Sequence, residues 1–172
     1  MEIFTEEYWR DRLRTALENG NLHKAVYEVN SDLWDSICKL HSDALLYNLA
    51  IHDSVLDVGC GYGRLVENLP ATWSGDYVGI DISSDFIRYA SEHYSSNRRR
   101  FYAVDIRAPI DFVLGRRFDW AVVAGTRPMI IEKAGQSTWG RIEQNIFDVT
   151  DKILFLEYST NPDTAVEIKR KT

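Results

Sequence analysis

Apolar positions along the first fifty residues recur at helical spacing, and beyond them they gather into short runs. Tyr8, Leu13, Ala16 and Leu17 share one helical face; Thr5 before Glu6-Glu7 supplies a start and Asn19-Gly20 a stop. Leu22 to Val29 reads as a second, shorter helical segment. Ser31 is placed to cap a longer helix, with one stripe of Leu33, Ile37, Leu40 and Ala44 and another of Trp34, Cys38 and Leu45. That helix ends before His52-Asp53. After it, strands are predicted over residues 54–58, 77–80, 100–104, 120–124 and 153–157, with helices over 63–69, 84–94 and 138–150. Residues 105–118 are too irregular for a helix.

Apolar strands alternating with helices predict a mainly parallel sheet covered on both faces, an α/β Rossmann-like three-layer αβα sandwich. The chain shows no repeat and no linker, so residues 1–172 read as a single domain: an N-terminal helical segment, 1–50, and an α/β core, 51–172. Ligands in such sheets gather at the carboxyl ends of the strands, where the strand order reverses.

The stretch VLDVGCGYGRL places Gly59, Gly61 and Gly63 directly after the first strand. The third glycine follows the second by two residues, where a dinucleotide fingerprint has three. Asp57 stands just before the loop; a carboxylate there repels a phosphate and suits a ligand carrying an ammonium and a sulfonium, as S-adenosylmethionine does. Asp81 ends the second strand and Asp105 the third, twenty-four residues apart like Asp57 and Asp81. Asp81 is suited to accept hydrogen bonds from ribose hydroxyls, with Ile82 offering an apolar face to adenine. Asp105 is suited to the adenine amine, with the Ile106 N–H directed at the ring. Ala124, closing the fourth strand, and Gly125 after it fall on the pocket floor. Taken singly, Asp81 reads equally as a turn acid and Asp105 as a helix cap. Cys60, within the cofactor-binding loop, is a small filler and not a nucleophile, and Asp119 orders the entry of its strand.

Over roughly Val55 to Tyr158 the sequence resembles the class I S-adenosylmethionine-dependent methyltransferases, through D-x-G-x-G-x-G and the acid that ends the next strand. The resemblance implies that Asp57, Gly59, Gly61 and Gly63 hold the methionine part, Asp81 the ribose, and Asp105 with Ile106 the adenine. It further implies methyl transfer to a small molecule or a protein side chain. The alternative is an inactive cofactor-binding partner or scaffold subunit. The EYW of Glu7-Tyr8-Trp9 resembles aromatic segments that fold over the cofactor in small-molecule methyltransferases; the same aromatics read as core anchors of an amphipathic helix.

Charge narrows the acceptor. The formal net charge is -6 and the pI about 5.2, which gives no electrostatic help toward nucleic acid. The stretch AGTRPMI lacks the [DN]-P-P-[YF] element of amino-directed nucleic-acid methyltransferases. Arg127 in it is a candidate for meeting an anionic substrate at the rim, or a solvent-facing arginine before a proline. The four histidines are expected at the surface or at caps, away from the pocket, and no metal-ligand spacing is present. Two cysteines without C-x-x-C spacing, no signal-peptide charge order and no long apolar run point to a cytoplasmic protein free of the membrane.

After the fifth strand only thirteen residues remain, TNPDTAVEIKRKT, with room from Ala165 to Lys169 for one short strand at most. The family's antiparallel C-terminal hairpin is therefore expected to be reduced or missing. The fifth strand would then need covering by a second copy or another chain.

Overall fold

The computed structural model describes residues 5–27 and 29–171. Six strands form one sheet in the order β3-β2-β1-β4-β5-β6. They are β1 (Val55–Val58), β2 (Tyr77–Asp81), β3 (Arg99–Ala103), β4 (Trp120–Ala124), β5 (Lys152–Leu156) and β6 (Val166–Arg170). The first five run parallel. The order reverses between β1 and β4, so the crevice above that pair is where a ligand of this fold is received.

Strand alternation sorts the core into two layers. Val55, Tyr77, Val122 and Leu154 face the side that carries α2 (Ser31–Asn48), α3 (Leu65–Asn68) and α4 (Ser84–Tyr94). Leu56, Ile80, Val123 and Phe155 face the side that carries α6 (Thr126–Ala134) and α7 (Gln136–Phe147). The N-terminal helix α1 (Glu6–Glu18) packs through Trp9, Leu13 and Ala16 against Tyr62 and Phe86, and a 3-10 turn, Leu22–Ala25, follows it. Thr5 caps α1 as expected, its hydroxyl accepting from the Tyr8 N–H at 3.3 Å. The cap of α2 is Asn30 and not Ser31, since the Asn30 side chain accepts from Leu33 N–H.

Two connections differ from expectation. The β3–β4 link holds a single helical turn, α5 (Asp111–Leu114). The stretch after β4 is helical from Thr126 onward; Pro128 lies in its first turn, where no intrahelical N–H bond is lost.

The expectation of an uncovered fifth strand is corrected. One turn, α8 (Pro162–Ala165), reverses the chain, and β6 pairs antiparallel along β5 from Lys152↔Arg170 to Leu156↔Val166. The hairpin is present as this one added strand. Exposed Glu167, Lys169 and Arg170 make the new edge polar, which discourages pairing with another chain. The reason for a covering partner at β5 therefore falls away.

Candidate functional site

The glycine loop leaves β1 with backbone angles that side chains resist: φ is 74° at Gly59 and 54° at Gly61. At Gly59 the demand is also steric, because a Cβ would stand 2.3 Å from Thr126 Oγ1 at the start of α6. The loop is tied to the next strand through Asp81, whose Oδ2 accepts from Gly61 N–H and whose Oδ1 accepts from Ser83 N–H, both at 2.9 Å. Burial pushes the Asp81 carboxyl up, against the pull of these backbone donors.

Above the loop lies an open cleft. Gly59, Gly61, Asp81, Ile82, Asp105, Ile106 and Ala124 line it, so seven of the residues expected to bind cofactor meet there. They come from the carboxyl ends of β1, β2, β3 and β4. Asp105 is gripped by Arg107 through both oxygens, at 2.7–3.0 Å, which holds its carboxyl below the usual range. Asn145 of α7 donates to the Ile106 carbonyl at 3.1 Å and steadies that loop. The sequence reading missed much of the remaining apolar wall: Val26, Phe86, Val104, Met129 and Ile130. Thr126 and Tyr158 were missed too. Gly125 and Tyr158 form a pair, since a Cβ on Gly125 would stand 2.2 Å from the Tyr158 ring. The Gly-Thr that follows β4 was the readable signal for this wall.

The two N-terminal aromatics separate. Trp9 is a core residue packed 6.0 Å from Phe86, and it also lines the cleft. Tyr8 lies outside the cleft, on a separate surface depression beside Arg12. Arg127 is withdrawn from the rim as well. It pairs with Glu157 at 2.8 Å and Glu167 at 2.6 Å, over the Phe155 ring, and so fastens β6 to β5 and α6.

Two loop residues, Gly63 and Cys60, and the strand residue Asp57 have other duties than direct contact in the cleft. Gly63 admits α4: a Cβ there would meet Tyr94 at 2.8 Å and Ala90 at 3.2 Å. The Cys60 side chain is buried against Gly79, and burial pushes its thiol up. Asp57 is 1% exposed, because strand alternation turns it sideways into the α2–α4 layer and not out of the strand end. Its Oδ2 accepts from the Tyr77 hydroxyl at 2.5 Å, while Oδ1 has no partner. Burial pushes its carboxyl up to about 7, although Tyr77 and Arg64 pull the other way.

Beneath the loop is a second, much smaller space, walled in part by Asp57, Cys60, Arg64 and Leu65. Val26, Gly59, Ala124 and Tyr158 belong to both spaces. Arg64 was not anticipated as a site residue, nor His41 as a core one; they are 5% and 0% exposed. His41 Nε2 bonds the Glu157 carbonyl at 2.9 Å, and Arg64 donates to Nδ1 at 3.2 Å, which fixes a neutral ring protonated at Nε2. Burial, with Arg64 adding to it, lowers the His41 pKa to about 4.

A doubly flanked parallel sheet with a glycine loop and acids at successive strand ends defines the class, a Rossmann-like nucleoside-binding domain. Within that class, a family model described as "Methyltransferase domain" matches residues 55–144, just over half of the chain. The chain belongs to this methyltransferase-domain family. Among relatives, a juvenile hormone acid O-methyltransferase of Bombyx mori is 33% identical over 72 residues, 40% of this chain and 26% of that protein. Its Drosophila melanogaster counterpart is 42% identical over 76 residues, 39% of this chain and 24% of that protein. The matched stretch thus spans about a quarter of each of these relatives. Among solved structures, magnesium protoporphyrin IX methyltransferase of Synechocystis with bound S-adenosylhomocysteine superimposes with a TM-score of 0.61 at 17% identity. That match covers 87% of this chain and 70% of that one, and establishes a shared fold. No helix among the described residues is long and apolar enough to cross a membrane.

Proposed function

We propose that the chain is an S-adenosylmethionine-dependent methyltransferase that holds its cofactor in the open cleft and acts on a small molecule or a protein side chain. One observation carries the reading: Asp81 and Asp105, with Ile82 and Ile106 beside them, line one cleft with Gly59 and Gly61. Acids placed there suit the hydroxyls and amine of an adenosine, and Phe86, Val104, Met129 and Ile130 supply an apolar bed for a flat base. The insect relatives are O-methyltransferases and the Synechocystis structure holds S-adenosylhomocysteine, both in keeping with this cofactor.

S-adenosylmethionine supplies, when bound, a methyl group on a sulfonium, open to in-line displacement by an acceptor. The chain's own residues bind and orient. Asp81 accepts from the ligand while its bonds to Gly61 and Ser83 hold it still. Asp105 accepts beside its Arg107 clamp. Trp9 walls off water from one side of the cleft. Among the described residues, the titratable ones lining the cleft are Asp81, Asp105 and Tyr158, both acids already hydrogen-bonded and the tyrosine kept neutral by burial. Catalysis therefore rests on positioning, which can supply about 7–11 kcal/mol of the barrier.

The test is calorimetric titration of the chain with S-adenosylhomocysteine, with NADH in parallel, followed by acceptor screening for released S-adenosylhomocysteine. Micromolar affinity for the first ligand alone is expected. Binding of NADH in its place would refute the cofactor assignment, and binding without turnover on any acceptor would favour the scaffold reading.

A further inference from the structure

The edge of the sheet opposite β6 is bare. Strand β3 pairs with β2 on one side, and among the described residues no strand pairs with it on the other. The Arg98 carbonyl and the Val104 N–H are spent on β2, so by strand alternation Phe101 and Ala103 turn their N–H and C=O groups to the open edge. The Arg99 groups on that edge are taken by Ser96 of the preceding turn. Arg98, Arg100 and Tyr102 stand two apart and so share one face of the chain. With Leu114, Asp76 and Arg116 they line a groove. It stays open because the β3–β4 crossover supplies only the four-residue turn α5 to cover that end of the sheet. Tyr102 is 40% exposed there. Arg116 meets the groove's acid, Asp76, at 2.9 Å, and Arg98 donates to the Ser74 carbonyl. Arg100 is exposed and has no partner among the described residues. Two guanidiniums without a carboxylate, on a chain of net charge -6, reverse the sign of the surface locally.

We propose that the β3 edge docks an extended acidic segment of a partner protein, which adds as a seventh strand beside β3 and lays its carboxylates over Arg98 and Arg100. The inference is independent of the cofactor reading and goes beyond it. Two features select the same occupant. The open backbone groups of Phe101 and Ala103 suit an extended chain, as strand addition requires, and the arginine row selects its charge. Every second side chain of an added strand falls on the groove face, which is the spacing of Arg98, Arg100 and Tyr102. The same row repels a second copy of this edge, since like charges would face each other across the pair. A nucleic acid has no strand to offer the open N–H and C=O groups, and the chain's net charge repels it. The groove shares no lining residue with the cleft, so both can be filled at once.

The test titrates the chain with a fluorescently labelled peptide of alternating glutamate and valine, with the lysine–valine peptide and an oligouridylate in parallel. The acidic peptide is expected to bind at least about tenfold more tightly than the basic one, and to lose affinity as salt rises. Amide hydrogen exchange is expected to slow at Phe101 and Ala103 in the complex. Arg100→Glu, at an exposed position, is expected to keep its thermal midpoint and to weaken the acidic peptide by about tenfold. Where Arg100→Glu lowers the midpoint, Arg100→Ala decides in its place, with an expected loss of about threefold. Binding of neither peptide, or equal affinity for both, would overturn the proposal. So would a folded Arg100 variant that binds the acidic peptide as before. Binding without protection at Phe101 and Ala103 would overturn strand addition. Oligouridylate binding more tightly than the acidic peptide, and lost in Arg100→Glu, would assign the groove to nucleic acid instead.

Discussion

The cleft above the glycine loop and the chamber below it use the same residue types in opposite ways. Asp105, in the cleft, is half-exposed, clamped by Arg107, and held below the usual carboxylate range. Asp57, in the chamber, is buried with an unmet oxygen, and its carboxyl is pushed up to about 7. Both acids sit at or near the carboxyl end of a parallel strand. What separates them is the direction of the side chain. A residue beyond the strand end faces solvent and ligand, whereas one still inside the strand is committed to a layer of the core. An acid near a strand end can therefore serve either a site or the core.

The joint between the two spaces offers the largest effect. Gly125 has φ 69° and lies against the Tyr158 ring, which walls both spaces. Gly125→Ala is expected to destabilise the fold by about 2–4 kcal/mol and to weaken ligand binding in the cleft. Denaturant unfolding measures the first and titration the second; an unchanged midpoint would mean that Tyr158 moves freely.

Next comes the cleft alone. Asp81→Ala removes charge-assisted bonds to the ligand and the tie to Gly61. It is expected to weaken S-adenosylhomocysteine and 5′-methylthioadenosine, the same thioether nucleoside without the amino acid, alike by about 100-fold. A loss confined to S-adenosylhomocysteine would put Asp81 at the wrong end of the ligand. Affinity unchanged for both in a folded variant would mean the cleft is misassigned.

The chamber alone is separable by pH. The folded chain holds a proton on Asp57 up to about pH 7, whereas the ordinary carboxyl loses it near 3.8. Between those values the folded state binds the extra proton, so this group's contribution to stability is lost as pH rises. Facing it are Tyr77, Arg64, Cys60 and Asp81. His41 acts in the opposite sense, because its lowered pKa makes stability rise with pH from about 4 to 6.5. Asp57→Asn, which keeps the acceptor for Tyr77, isolates the first effect. Relative to the unmodified chain it is expected to gain stability from pH 4 to 7, by an amount on the order of a few kcal/mol. A pH-independent difference would mean that Asp57 is solvated.

The smallest effect belongs to the exposed clamp. Arg107→Ala is expected to change unfolding free energy by less than about 0.5 kcal/mol, because exposed ion pairs contribute little. A change above about 1 kcal/mol would make the clamp a structural element and blur the contrast with the chamber.

Much of this was legible in the chain. Helix α4 was predicted with its observed bounds, since Ser83 caps it and its apolar face is periodic. The strands were placed within a residue or so, because fully buried parallel strands read as continuous apolar runs. Helix α6 was hidden by Arg127-Pro128, which resembles a turn until Pro128 is placed in the first helical turn. Asp57 was readable as important but not in its direction, which depends on the phase of a four-residue strand. Arg64 and His41 gave no signal, because charged or titratable side chains become core residues only through contacts made 23 residues apart along the chain. Gly63 was legible as a glycine and not as the seat of Tyr94.

The most direct measurement is amide chemical-shift mapping of the isotopically labelled chain during titration with S-adenosylhomocysteine. The account predicts the largest shifts at Gly59, Gly61, Ile82 and Ile106. Shifts that avoid the glycine loop and the ends of β2 and β3, or no shifts at a hundred-micromolar scale of ligand, would contradict it.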